Sequence, residues 1–157
     1  MIKVNTLSPF VGLARYEAWK DGWVDKDKID ESSYISNVCN PEDLLLSCKL
    51  LFPDFVVVEE GVFLEGKYSA DIFASWLKHF NGDRQAVERM LNHTHLYDVF
   101  DSCSDDIDDR IFEQLASVLA LSWRLVLKDK FPEREFSVDI SNTDQDYGPI
   151  VTFYQLS

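Results

Sequence analysis

Apolar residues along this chain recur with two periods, and the change from one to the other marks out its elements. Asn40-Pro41-Glu42-Asp43 supplies a capping side chain, a first-turn proline and two acids where a helix dipole is positive. Leu44, Leu45, Cys48, Leu51 and Phe52 follow at helical spacing, so a helix is predicted that stops at Pro53. The period then shortens. Phe55-Val56-Val57-Val58 and Val62-Phe63-Leu64 flank Glu59-Glu60-Gly61, a pattern that predicts a hairpin.

Helical spacing returns at Ile72, Phe73, Trp76, Leu77 and Phe80, ended by Asn81-Gly82. Asp83 then caps a helix bearing Ala86, Val87, Met90 and Leu91. The segment 105–130 carries the clearest pattern. Acids crowd its start (Asp105, Asp106, Asp108, Asp109) and lysines its end (Lys128, Lys130), as the helix dipole favours. Ile111, Leu115, Val118, Leu119, Leu125 and Val126 form a stripe that Phe112, Leu121, Trp123 and Leu127 widen nearly all round. Such a helix is expected to be buried on several sides. Phe136–Ile140 and Ile150–Tyr154 then read as strands, joined by an acidic, turn-forming loop over 141–149.

The first forty residues are less regular. Ile2–Val4 suggests a short strand, and Ser8-Pro9 a cap and first turn for a helix carrying Phe10, Leu13, Ala14 and Tyr16. Asp25–Ser33 alternates Asp with Lys and is expected to be an exposed loop. Phe-Pro ends a helix and precedes a strand twice, at Phe52-Pro53 and at Phe131-Pro132. That echo reflects either two α–β units or the same helix-stop chemistry used twice.

Composition adds charge to this outline. The 157 residues carry 28 acids against 15 Lys and Arg, a formal net charge of −13. A surface so negative repels nucleic acid and anionic membranes and attracts cationic proteins. With 46% apolar residues and 13% aromatics, the chain is a folded protein rather than an acidic tail. Its length suits one domain over 1–157. Three cysteines (Cys39, Cys48, Cys103) cannot all pair within the chain and form no Cys-x-x-Cys unit. Reduced thiols in the cytoplasm are therefore expected, with Cys48 buried on its helix stripe. No apolar run reaches the ~20 residues of a membrane span, and the first residues lack the apolar core of a signal peptide.

Candidate chemistry is sparse. His93-Thr94-His95 with Asp98 is the one constellation with metal or acid–base character, since His at i and i+2 of an extended segment share a side. The alternative is local hydrogen bonding at a helix end. No nucleophile elbow, phosphate loop or dinucleotide fingerprint occurs, and no cofactor or metal is expected. Asp144, Asp146 and Tyr147 in the C-terminal loop, with Glu59 and Glu60 in the hairpin, are candidate binding residues. The acids would steer a partner and the tyrosine would anchor it.

The C-terminal third runs from Trp123 through Phe131-Pro132 and Phe136-Ser137-Val138 to Tyr147-Gly148-Pro149-Ile150-Val151-Thr152-Phe153-Tyr154-Gln155. It resembles the close of small acidic bacterial proteins of the toxin-immunity type. The resemblance implies an α/β-type domain that binds and neutralises a toxin, often a basic nuclease, and it carries over no site residue. The fold expected from the residues is α+β, one domain. Several helices would pack on a small, mostly antiparallel sheet built from the Phe55–Leu64 and Phe136–Tyr154 strands, around a long central helix 105–130. The function expected is non-catalytic inhibition of a cationic protein. The alternatives are a metal-assisted hydrolase using His93, His95 and Asp98, and a nucleic-acid mimic or adaptor.

Overall fold

A computed structural model describes every residue except Met1, Lys3, Ser104, Asp105, Asp144, Gln145 and Ser157. The described residues form seven α-helices and five strands. In chain order these are α1 (Ala14–Asp21), α2 (Glu31–Val38), α3 (Pro41–Leu51), β1 (Phe55–Val58), β2 (Gly61–Leu64), α4 (Ala70–His79) and α5 (Arg84–Leu91). They continue with β3 (Thr94–His95), α6 (Leu96–Val99), α7 (Asp109–Lys130), β4 (Phe136–Ser141) and β5 (Ile150–Gln155). The arrangement is the expected α+β fold with α7 at its centre.

Helix α7 starts four residues later than the acidic run suggested. Asp108 is its N-cap, and its carboxylate accepts the Arg110 backbone N–H at 2.9 Å. Asp106 and Ile107 precede the helix, and Asp105 lies outside the described residues. Ala116, Leu119, Ala120, Trp123 and Leu127 make one buried stripe at helical spacing. Leu125, by contrast, is 60% exposed, so the helix buries one face rather than its whole girth. Removing a Leu or Val side chain completely from water is worth about 1.5–3 kcal/mol.

That stripe packs on strands from two antiparallel sheets. One is the hairpin β1–β2, the other a three-stranded sheet in the order β3–β5–β4. Val62, Leu64, Val138, Val151 and Phe153 meet Leu119, Trp123 and Leu127 in the main core. Strand β2 is buried on both faces, because Phe63 points the other way into a second core with Phe73, Val87 and Leu91 from α4 and α5. The hairpin is thus a filling between α7 and the α4–α5 pair.

The two sheets do not pair directly. Glu88 and Asn92, one turn apart at the end of α5, stand between β2 and β5. Glu88 accepts the N–H groups of Val62 and Gln155 at 2.8 and 2.7 Å, and Asn92 accepts from Leu64 N–H at 2.9 Å. The Asn92 amide donates to the carbonyls of Val62 and Phe153 at 2.9 and 3.2 Å. Two helix side chains do the work of a missing strand, and both are essentially fully buried.

The N-terminal region departs most from expectation. Residues 8–13 are not helical, α1 begins at Ala14, and Gly12 takes a φ of 75° just before it. Ile2 and Val4 form no strand; Lys3 lies outside the described residues. The expected Asp25–Ser33 loop contains a short 3-10 turn and the start of α2, which Asp30 caps by accepting from Ser33 N–H at 2.8 Å. Helix α3 forms as predicted but buries no residue, so Cys48 is half-buried rather than a core side chain. No described residue before Gly61 is buried.

The two Phe-Pro helix stops lie side by side. Phe52, Pro53 and Phe131 border one groove, and Phe55 meets Phe131 edge to face at 5.8 Å. From α7, Trp123 donates its indole N–H to Leu50 O at 3.0 Å and Ser122 its hydroxyl to Leu51 O, satisfying the last carbonyls of α3.

Candidate functional site

The hairpin turn is built by Glu59 and Glu60 themselves, at φ 48° and 71°. Positive φ at both central residues is the two-residue turn that matches strand twist, and for non-glycine residues it costs about 1–2 kcal/mol each. Clamps hold it. Arg84 donates to Glu59 O at 2.5 Å and to the Glu59 carboxylate at 3.0 Å. Arg134 and Gln155 both donate to Glu60 O, at 2.7 and 2.8 Å. Gly61 serves close packing instead of turning, since a Cβ there would lie 2.7 Å from the Phe63 ring.

In the C-terminal loop Asp146 turns inward. Its carboxylate accepts from Ser141 Oγ at 2.5 Å, Thr143 N–H at 2.8 Å and Thr143 Oγ1 at 2.9 Å. These bonds, led by the Ser141 hydroxyl, hold its pKa below the usual carboxylate value. Asp146 therefore ties the loop together, and Asp144 lies outside the described residues. Tyr147 is 70% exposed, its ring edge-on to Tyr97 at 5.4 Å. Tyr97 in turn donates to Asp109 at 2.6 Å, a bond that raises its phenol pKa to about 12.

These candidates lie towards opposite ends of β5. Tyr147 precedes β5, whereas Glu60 is tied to Gln155 at its far end. Six strand residues separate the two by about 17 Å.

His93 and His95 do lie on one side, with rings stacked at 4.5 Å and 18°. The local hydrogen bonding expected for them is absent at two atoms, as His93 Nε2 and His95 Nδ1 are buried without a partner. The Lys67 ammonium donates to His93 O. Burial lowers the His93 pKa, and the neighbouring His95 and Lys67 lower it further against the opposing charge of Asp146. Asp98 acts on Lys67 instead. Among the described residues no three His, Cys, Asp or Glu side chains are grouped to hold a metal ion.

No family model, curated protein or solved structure matches this chain. Its function has to be read from its own surface.

A further surface feature lies in the N-terminal region. Helices α1 and α2 are joined by an aromatic cluster in which Tyr34 meets Tyr16 and Trp19 edge-on at 5.5 and 5.1 Å, and Trp19 meets Trp23 at 5.5 Å. The signal was present in the i, i+3, i+7 spacing of Tyr16, Trp19 and Trp23. Between this pair and the segment leading into α7 lies a cleft of about 1110 Å³. It is lined by the apolar and aromatic side chains of Leu13, Tyr16, Ile35, Phe100 and Ile111 and by the acids Glu17, Glu31, Asp106 and Asp108. Asp108 is engaged by Arg110 at 2.5 Å, which holds its pKa down to about 2. The α1 side is anchored below by Gln114, which accepts from Val11 N–H at 2.7 Å and donates to Val11 O at 2.9 Å.

Proposed function

We propose that this protein is a non-catalytic inhibitor that binds and neutralises a cationic protein, in the manner of a toxin-immunity protein. The observation that carries the reading is the pairing of a −13 net charge with large apolar side chains at the surface. Ile35, Leu44, Leu45, Leu46 and Phe52 are each at least 50% exposed. Acidic charge would steer a basic partner to the surface, and apolar and aromatic side chains would hold it once docked. No helix among the described residues is long and apolar enough to cross a membrane, and we place the protein in the cytoplasm, where the free thiols of its three cysteines would stay reduced.

The test is co-expression with the product of the adjacent open reading frame. The reading expects relief of that product's toxicity, a stable complex of the two purified proteins, and steered association. The association rate should fall at least about tenfold between roughly 50 and 500 mM salt while dissociation changes less. A non-toxic neighbour that forms no complex would overturn it.

A further inference from the structure

We infer that the cleft between α1, α2 and the start of α7 is the partner-binding groove, and that it takes a basic amphipathic segment of a protein. The inference rests on the function proposed above and gives it a location. At about 1110 Å³ the cleft lies at the upper end of the roughly 300–1,000 Å³ range of ligand pockets and has room for several side chains of a peptide. Its lining offers Tyr16, Tyr34 and Ile35 from one wall and Phe100 and Ile111 from the other. Ile35 is 50% and Phe100 38% exposed, so the apolar surface is open to solvent. Tyr16 and Tyr34, which line the cleft, are of a residue type enriched at binding hot spots.

Charge selects the occupant. Among the described lining residues four carboxylates stand against two guanidiniums; the Asp108–Arg110 pair cancels within itself, and an excess of two negative charges remains. Glu17 and Glu31, in the first turns of α1 and α2, line the cleft together with Tyr16 and Tyr34, and the Tyr16 ring already holds one cation, Lys20 at 5.8 Å. An acidic segment or a phosphate-bearing ligand would meet repulsion here. A helix with an apolar stripe flanked by Lys or Arg would place the stripe on the apolar lining and the cations by the acids.

The probe is a fluorescein-labelled amphipathic Leu/Lys peptide of about 18 residues, with a Leu/Glu peptide of the same pattern as control. Anisotropy with the full chain should show saturable binding of the basic peptide and none of the acidic one. Ile35→Asp, at an exposed position, should weaken binding about tenfold, as loss of a buried contact does. The double change E17Q/E31Q should weaken it about fivefold by removing two lining charges. Thermal melts establish that each variant is folded, and the second keeps the test alive if the first is not. Equal binding to wild type and both variants would overturn the groove while leaving an acidic binding protein intact. No peptide binding at all, with the co-expression complex still forming, would overturn the occupant and spare the proposed function. Binding of the neutral apolar dye Nile red without the peptide would overturn it in favour of a small apolar ligand.

Discussion

Glu88 and Gln155 are joined by two hydrogen bonds of 2.7 Å, one from the Gln155 backbone N–H and one from its side-chain amide. The same carboxylate also holds Val62 of the hairpin. Glu88→Ala would leave the buried Val62 N–H and the Gln155 N–H without acceptors. A loss of about 3 kcal/mol is expected, at the upper end for unsatisfied buried donors with a charged partner. Urea unfolding reads it as a lowered midpoint at unchanged slope. A midpoint near that of wild type would show that water replaces the carboxylate and that the two sheets do not depend on it.

Gly148 lies against Tyr97 with a φ of 76°, and an added Cβ would sit 2.6 Å from the ring. Gly148→Ala therefore meets both a strained backbone and a steric clash, expected to cost about 1–3 kcal/mol together. For a chain of this length each kcal/mol lowers Tm by about 2–4 °C. In a Tyr97→Ala background only the backbone part should remain, so the double-mutant cycle separates the two. Additive effects would mean that the ring does not set the constraint.

The stacked His93–His95 pair makes stability sensitive to mild acid. The His93 pKa is lowered in the folded protein, so the unfolded chain takes up its proton first as pH falls. This contribution is absent above the unfolded value near 6.5, and stability declines as pH drops from there through the lower folded value. Asp146 acts in a separate window below about 3.8, where protonation would release the loop. Unfolding midpoints measured from pH 8 to pH 5 should decline for wild type and decline less for His93→Gln. Parallel curves would remove His93 as the cause.

Leu119 and Leu125 are six residues apart on α7 with opposite fates, the first fully buried and the second 60% exposed. Leu119→Ala should cost about 2–5 kcal/mol, the range for a cavity in a packed core. Leu125→Ala should stay within about 0.5 kcal/mol. Equal losses at the two sites would restore the picture of a helix enclosed on all sides.

Sequence by itself determined the elements whose signals are local. Asn40-Pro41 and Asp83 start their helices where a short polar side chain can take the first free N–H. The β-branched and aromatic runs at Phe55–Val58 and Ile150–Tyr154 and the alternating run at Phe136–Ile140 became strands, because such side chains suit a pleated surface. The helix start at Asp108 was less legible, since four acids along 105–109 can each serve as a cap and only the chain's approach selects one. Tertiary structure decided the rest. Glu88 looks like any helix glutamate until α5 is laid between two sheet edges that need an acceptor. Glu59 looks like a free surface acid until Arg84, 25 residues further on, is brought to it. The candidate groove depends on how α1 and α2 stand against residues about 65 to 100 positions further on. A periodicity argument senses a residue's neighbours along the chain, whereas burial, clamping and clefts arise from contacts across it.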